Sequence, residues 1–269
     1  MPTGTDAEVT EVLSRGDLRP LGRIAESSNH AVLCEVVLGE RTVLAVHKPA
    51  RLERHLWDYP PGTLTGRERA AYLLCSAGGF GVVPATVLRD DGPWGPGSVQ
   101  AWVGDPAEPP ELVVDVVRVD AVPAGWLAVV EGDSPYGHRV LVAHSGEPAV
   151  RTTAVFDALL NNSDRKGGHL VRDGDAVRGF DHGVSLGVEP KLRTVLWGWA
   201  GRPLPDSDLE RVERVRGELD RRGGPLGELE ELLDREEREA LRRRADRLLA
   251  ARRHPRPRAG WPSIPWPAM

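Results

Sequence analysis

The sequence predicts an α+β protein of two lobes, strand-rich toward its N-terminus and mostly helical toward its C-terminus. Three observations carry that expectation. Paired β-branched, apolar runs recur through residues 21–103, around one helical stretch. A polar, proline-rich stretch at 104–110 interrupts them and reads as a hinge. Beyond Pro205 the chain is highly charged, with apolar residues at helical spacing. The expected division is an N-lobe over 1–103, a C-lobe over 104–255 and a docked Pro/Trp tail over 256–269.

Residues 1–18 are polar and read as a short helix or arm. A strand begins at Leu21, followed by the polar break Glu26-Ser27-Ser28-Asn29-His30. Residues 31–38 and 42–47 flank Gly39-Glu40-Arg41 and form a hairpin signal. Pro49 holds Lys48 extended at the end of the second run, because a residue before proline is driven out of the helical region. A helix follows at 64–77, stopped by Gly78-Gly79. Strands are expected at 82–88 and 98–103, then at 112–119, 126–130 and 139–143. A helix at 152–160 feeds the loop 161–168, and a short hairpin runs through 169–171 and 177–180. Ser207-Asp208-Leu209-Glu210 fits a capping box, with Leu209, Val212, Val215 and Leu219 as the stripe behind it. A second helical segment spans 226–253. Its run Arg242-Arg243-Arg244 is interleaved with acidic residues and reads as a solvated face.

Composition excludes several classes. The 269 residues are 40% hydrophobic and 28% charged, as in an ordinary globular protein with a sizeable core. Forty acidic against 35 basic residues give a net charge of −5, which disfavours nucleic-acid binding by phosphate neutralisation. No run is long enough for a membrane span, and the first residues lack the layout of a signal peptide, so no integral membrane contact and a cytoplasmic location are expected. The two cysteines, Cys34 and Cys75, sit in apolar runs and read as buried free thiols. Lysine occurs only at Lys48, Lys166 and Lys191 among many arginines. A compact ammonium serves phosphate as a point charge, where arginine serves planar, bidentate partners.

The chemistry-bearing stretch is Asn161-Asn162-Ser163-Asp164-Arg165-Lys166-Gly167-Gly168-His169, followed by Gly179-Phe180-Asp181-His182-Gly183. A hairpin between them brings His169 and Asp181 together, with Asp164 in the loop just before. One carboxylate to receive the proton of an incoming hydroxyl, and a second to hold magnesium against phosphates, is what phosphoryl transfer requires. The N-lobe supplies matching parts. Lys48 ends a strand where it can neutralise phosphate charge, and Glu68 on the next helix is placed to pair with it. The turn containing Ser27, Ser28 and Asn29 can lay backbone N–H groups over phosphates.

In that order along the chain, these residues resemble the phosphatidylinositol 3-/4-kinase-like superfamily, especially its compact bacterial members and the type II phosphatidylinositol 4-kinases. The resemblance covers roughly residues 20–205. It implies a two-lobed, protein-kinase-like fold, ATP with Mg²⁺ or Mn²⁺, and an alcohol-bearing acceptor. Asp164 matches the catalytic-loop aspartate, Asp181 the metal-binding aspartate and Lys48 the nucleotide-binding lysine. Gln100, Trp102 and Val103 fall in the interlobe linker that holds adenine. His169 stands where the family usually carries asparagine, beside Asp181 as a candidate metal ligand. Lys166 replaces a His or Gly and is placed to meet the γ-phosphate or the acceptor, while the nucleotide loop lacks a Gly-rich signature. The acceptor expected is a soluble polyol or inositol-like molecule, or a protein or peptide hydroxyl. The alternative reading is a catalytically inactive, nucleotide-binding module of the same fold. The oligomeric state is not legible.

Overall fold

The computed structural model describes residues 5–24, 31–221 and 223–269. Helix α1 (Asp6–Arg15) is capped by Thr5, whose hydroxyl accepts from the Glu8 N–H while the Glu8 carboxylate accepts from the Thr5 N–H. The first strand, β1 (Asp17–Arg23), begins ahead of the expected start at Leu21. Strands β2 (Val32–Leu38) and β3 (Arg41–Pro49) form the hairpin, closed at Gly39 with φ of 61°. Helix α2 (Leu64–Gly78) ends where Gly79 turns left-handed. Its first N–H groups, at Leu64 and Thr65, donate to the carboxylate of Glu53 from the preceding loop.

Strands β4 (Thr86–Arg89) and β5 (Gly97–Ala101) complete an antiparallel sheet in the order β1-β2-β3-β5-β4. The expected strand over 82–88 is therefore half absent. Pro84 has no N–H for a ladder, and the N–H groups of Val82 and Val83 donate to Cys75 Sγ instead. Both cysteines are free and buried.

The three middle strands, β6 (Val114–Arg118), β7 (Trp126–Asp133) and β8 (Arg139–Ser145), make a second sheet in the order β6-β8-β7. Helix α3 (Pro148–Leu160) starts before the expected Thr152, with Pro148 in its first turn. It ends at Asn161, which adopts a left-handed conformation. Strands β9 (Leu170–Asp173) and β10 (Ala176–Gly179) form the short hairpin between the two chemistry-bearing segments.

The helical end departs from expectation in three places. Helix α4 (Asp206–Glu218) starts after Pro205 rather than at a Ser207 cap. Asp208 is fully buried and accepts from Thr152 Oγ1 at 2.7 Å and Arg151 Nε at 3.0 Å, so it ties α4 to α3 instead of capping its own helix. The segment over 226–253 is broken into α5 (Leu229–Leu232) and α6 (Arg235–Ala251). Asp234 leaves the helical region and caps α6 in a reciprocal pair with Glu237. Arg244 is buried rather than solvated, donating to the carbonyls of Leu159 and Gly187.

One apolar core runs from the first sheet through α2 and α3 to α4 and α6. A smaller one lies under the second sheet, and Ile264 and Ala268 of the tail pack against it. Among the described residues, no helix is long and apolar enough to cross a membrane.

Candidate active site

Lys48 stands at the exit of β3, the strand whose alternate residues are buried in the sheet. Opposite it, a Cβ at Gly97 would lie 2.2 Å from the Lys48 carbonyl, so β5 must carry glycine there for the two strands to pair. Glu68 lies on the buried face of α2, and two further residues of that helix lock it to the C-lobe. Arg67 pairs with Glu237 of α6, and Arg69 makes a bidentate pair with Glu228.

Lys48 Nζ donates to Glu68 Oε1 at 2.5 Å and to Asp181 Oδ1 at 2.9 Å. Residues from a strand, a helix and a loop thus meet on one ammonium. The two carboxylates outweigh the burial that opposes its charge and hold the Lys48 pKa above the ordinary lysine value. The same pairing, led by the Lys48 charge, holds the Asp181 carboxyl far below the usual carboxylate range. Asp181 has φ of 60°, unusual for a residue with a Cβ. The next N–H, that of His182, donates to Glu68 Oε2 at 3.0 Å and anchors this strained turn to α2.

His169 Nε2 lies 3.4 Å from Asp181 Oδ2, while its Nδ1 faces the Lys166 N–H at 3.5 Å. Burial presses the His169 pKa down to about 4, so the ring is neutral at neutral pH. Asp164 sits in the loop before it, with Lys166 Nζ 3.2 Å from its Oδ2. Burial raises the Asp164 pKa, and Lys166 partly opposes the rise.

The loop that carries Asp164 is held by groups to which the sequence assigned no role. Arg165 is fully buried and forks onto Asp157 of α3, at 2.9 Å for Nε to Oδ2. It also donates to the Phe180 carbonyl at 2.8 Å and to His182 Nε2 at 2.7 Å. Burial holds the His182 pKa well below its ordinary value, which leaves Nε2 free to accept. Asp157 also accepts from Asn162 Nδ2, and Asn162 Oδ1 in turn receives the Asp164 N–H at 3.0 Å. One buried carboxylate therefore orients both loops. The available signal was an arginine written directly after Asp164, eight residues beyond an aspartate on an apolar helix.

Tyr59, from the aromatic loop after Lys48, is buried, and its hydroxyl lies 3.3 Å from Ser163 Oγ. Trp57 of the same loop is exposed, with Lys191 Nζ 4.5 Å from its ring centre. The tail reaches the site as well, since the Gly167 N–H donates to the Ala268 carbonyl at 2.8 Å.

The structure brings Lys48, Glu68, Asp164, Lys166, His169 and Asp181 into one chain of contacts. The linker residues are placed differently. The Gln100 side chain is buried and donates to Thr86 Oγ1, and the Trp102 N–H donates to the Leu44 carbonyl. Both groups are used inside the sheet, and Val103 follows the last of these bonds. Ser27, Ser28 and Asn29 lie outside the described residues.

No family model matches the chain. Protein Rv2133c of Mycobacterium tuberculosis is 46% identical over 268 residues, spanning 96% of this chain and 94% of that protein. The chain belongs to the Rv2133c family. Among solved structures, the Golgi casein kinase with Mn/ADP bound aligns with a TM-score of 0.55 at 12% identity, over 91% of this chain and 75% of that one. The Helicobacter pylori proinflammatory kinase CtkA aligns at 0.43 and 11% identity, over 90% of this chain and 94% of that one. The Golgi casein kinase likeness shows that this member of the Rv2133c family has a kinase-like fold.

Proposed function

We propose that the chain is an ATP-dependent phosphotransferase that moves the γ-phosphate to an alcohol hydroxyl. The observation that carries this is the convergence of Glu68 and Asp181 on Lys48 Nζ, with Asp164 one short loop away. In this reading Lys48 neutralises phosphate charge and Glu68 keeps its ammonium aimed at the site. Asp164 takes the proton of the acceptor hydroxyl as its oxygen bonds to the γ-phosphorus, while the bond to the bridging oxygen breaks and ADP leaves. Lys166, beside Asp164, faces the transferred phosphate or the acceptor.

Asp181 offers a carboxylate, and His169 a neutral imidazole, to a divalent ion. Among the described residues, no three acidic, His or Cys side chains converge to cage a metal. That fits magnesium or manganese, which bind through one or two protein donors together with substrate phosphates. The ion would neutralise charge between the β- and γ-phosphates. Manganese suits the nitrogen donor better than magnesium does, and the structural neighbour with Mn/ADP supports the pairing. Kinship with the phosphatidylinositol 3-/4-kinase-like enzymes rests on the Asp164-Arg165 and Phe180-Asp181-His182-Gly183 segments. The acceptor in this reading is a soluble polyol, inositol-like molecule or peptide hydroxyl.

The test is transfer of label from γ-labelled ATP, with Mn²⁺ or Mg²⁺, to polyol and peptide pools. Asp164→Asn is expected to lose about 10²-fold or more in turnover, the usual contribution of a general base, while its ATP affinity changes little. Label transfer unaffected by Asp164→Asn contradicts the assignment. Tight ATP binding with no ATP consumed by the wild type establishes the inactive, nucleotide-binding alternative.

A further inference from the structure

A cavity of about 300 Å³ opens beside Asn161, between the end of α3, the helix α6 and the segment that follows it. Five arginines line it: Arg244, Arg247, Arg253, Arg256 and Arg258. No aspartate or glutamate does, in a chain whose net charge is −5. Among the described residues, none of the five pairs with a carboxylate. Arg244, Arg253 and Arg258 donate only to backbone carbonyls.

Three buried donors or acceptors of the cavity lining have no partner among the described residues: Arg244 Nη2, His254 Nε2 and Trp261 Nε1. Arg244 and His254 are 6% and 5% exposed. A buried guanidinium nitrogen without an acceptor is costly, and Arg244 sets such a nitrogen in the wall behind the cavity. Burial and the neighbouring charge of Arg247 press the Arg244 pKa down to about 10, the direction an uncompensated positive cluster gives. The remaining wall, Leu192, Trp197 and Leu248, is apolar.

We propose that this cavity binds a small molecule bearing phosphate-type oxyanions, held by the arginine cluster, with its body against the tryptophan and leucine wall. Guanidinium forks match such oxyanions bidentately, and a half-open cavity of this volume suits a small molecule. Asn161, which begins the loop carrying Asp164, also lines the cavity and shares the Gly187 carbonyl with Arg244. The ligand would therefore lie against the base of that loop.

Inorganic pyrophosphate is the probe, titrated calorimetrically into the full chain, into Arg247→Gln/Arg256→Gln and into Lys48→Met. Both arginines are exposed and make no ion pair, so the double variant should keep the wild-type unfolding midpoint. Loss of two charge-assisted contacts should weaken pyrophosphate at this cavity at least about tenfold, while Lys48→Met keeps the arginine-dependent binding. No binding to the wild type, unchanged binding in the double variant, or binding abolished by Lys48→Met overturns the proposal. So does arginine-dependent binding to phosphatidylserine vesicles without a pyrophosphate response, which would make the cluster a membrane contact. Because Lys48→Met removes the nucleotide clamp, the outcome is independent of the phosphotransfer reading.

Discussion

Lys48 illustrates how one residue acquires its role from partners distant in sequence. Its ammonium is only 15% exposed at the side chain, and without Glu68 and Asp181 such burial would drive it toward the neutral form. Asp164 works in the opposite direction. Burial lifts its pKa above the ordinary aspartate value of about 3.9, while the nearby Lys166 charge lowers it. A base must be deprotonated, so transfer should fail as pH falls through this raised pKa. The acid limb of kcat should therefore lie above the ordinary aspartate range, and Lys166→Met should move it higher still by removing the opposing charge. A limb that stays at the ordinary value in both proteins contradicts Asp164 as the base. His169 shares the same buried space and is kept neutral by it.

At the scale of elements, the geometry of the site depends on α3 delivering Asp157 beneath two loops. Arg165 and Asp157 are both fully buried, and removing one partner of such a pair leaves an uncompensated charge. Asp157→Ala should cost about 3–5 kcal/mol in chemical denaturation, and a loss below about 1 kcal/mol would show that the loops are held by something else. The hairpin of β2 and β3, the helix α2 and the hairpin of β9 and β10 were all legible, because local apolar periodicity and a turn glycine mark each of them. So was the meeting of Lys48, Glu68 and Asp181, since their order along the chain is informative even where each residue alone is not. What was illegible depended on tertiary partners. Asp208 looked like part of a cap until Thr152 and Arg151 were seen to claim it. Arg244 looked solvated because sequence does not show that carbonyls of α3 and of the segment beyond Asp181 face it. Residues 82–85 looked like strand because the sulfur acceptor of Cys75 leaves no trace in a hydropathy pattern.

For the whole molecule, buried neutral imidazoles couple folding to pH. Burial presses His144 and His254 down to about 4, and it lowers His47 and His182 as well. His144 Nε2 accepts the Gly198 N–H at 3.1 Å, a bond that protonation would break. The unfolded chain binds protons to these groups near pH 6.5, before the folded chain does, so stability is present above that pH and is lost as pH falls toward 4. Each imidazole contributes a slope of up to about 1.4 kcal/mol per pH unit within that window. Urea midpoints should therefore fall steeply between pH 6.5 and 4.5, and a flat profile would contradict neutral burial of these rings. The raised pKa of Asp164 acts the other way, stabilising the fold slightly as it takes up a proton at low pH.

In the proposed reading, Lys48, Glu68 and Asp181 form a nucleotide–metal clamp at the junction of the first sheet and the loops carrying Asp164 and Asp181. It is tested most directly by thermal unfolding of the wild type and Asp181→Asn, each with and without ATP and Mn²⁺. A ligand at 100 times its Kd adds about 2.7 kcal/mol of stability, enough for a clear rise in midpoint. A rise in the wild type that requires both ATP and Mn²⁺, and that disappears in Asp181→Asn, is expected. No rise in the wild type, or the same rise in the variant, would contradict it.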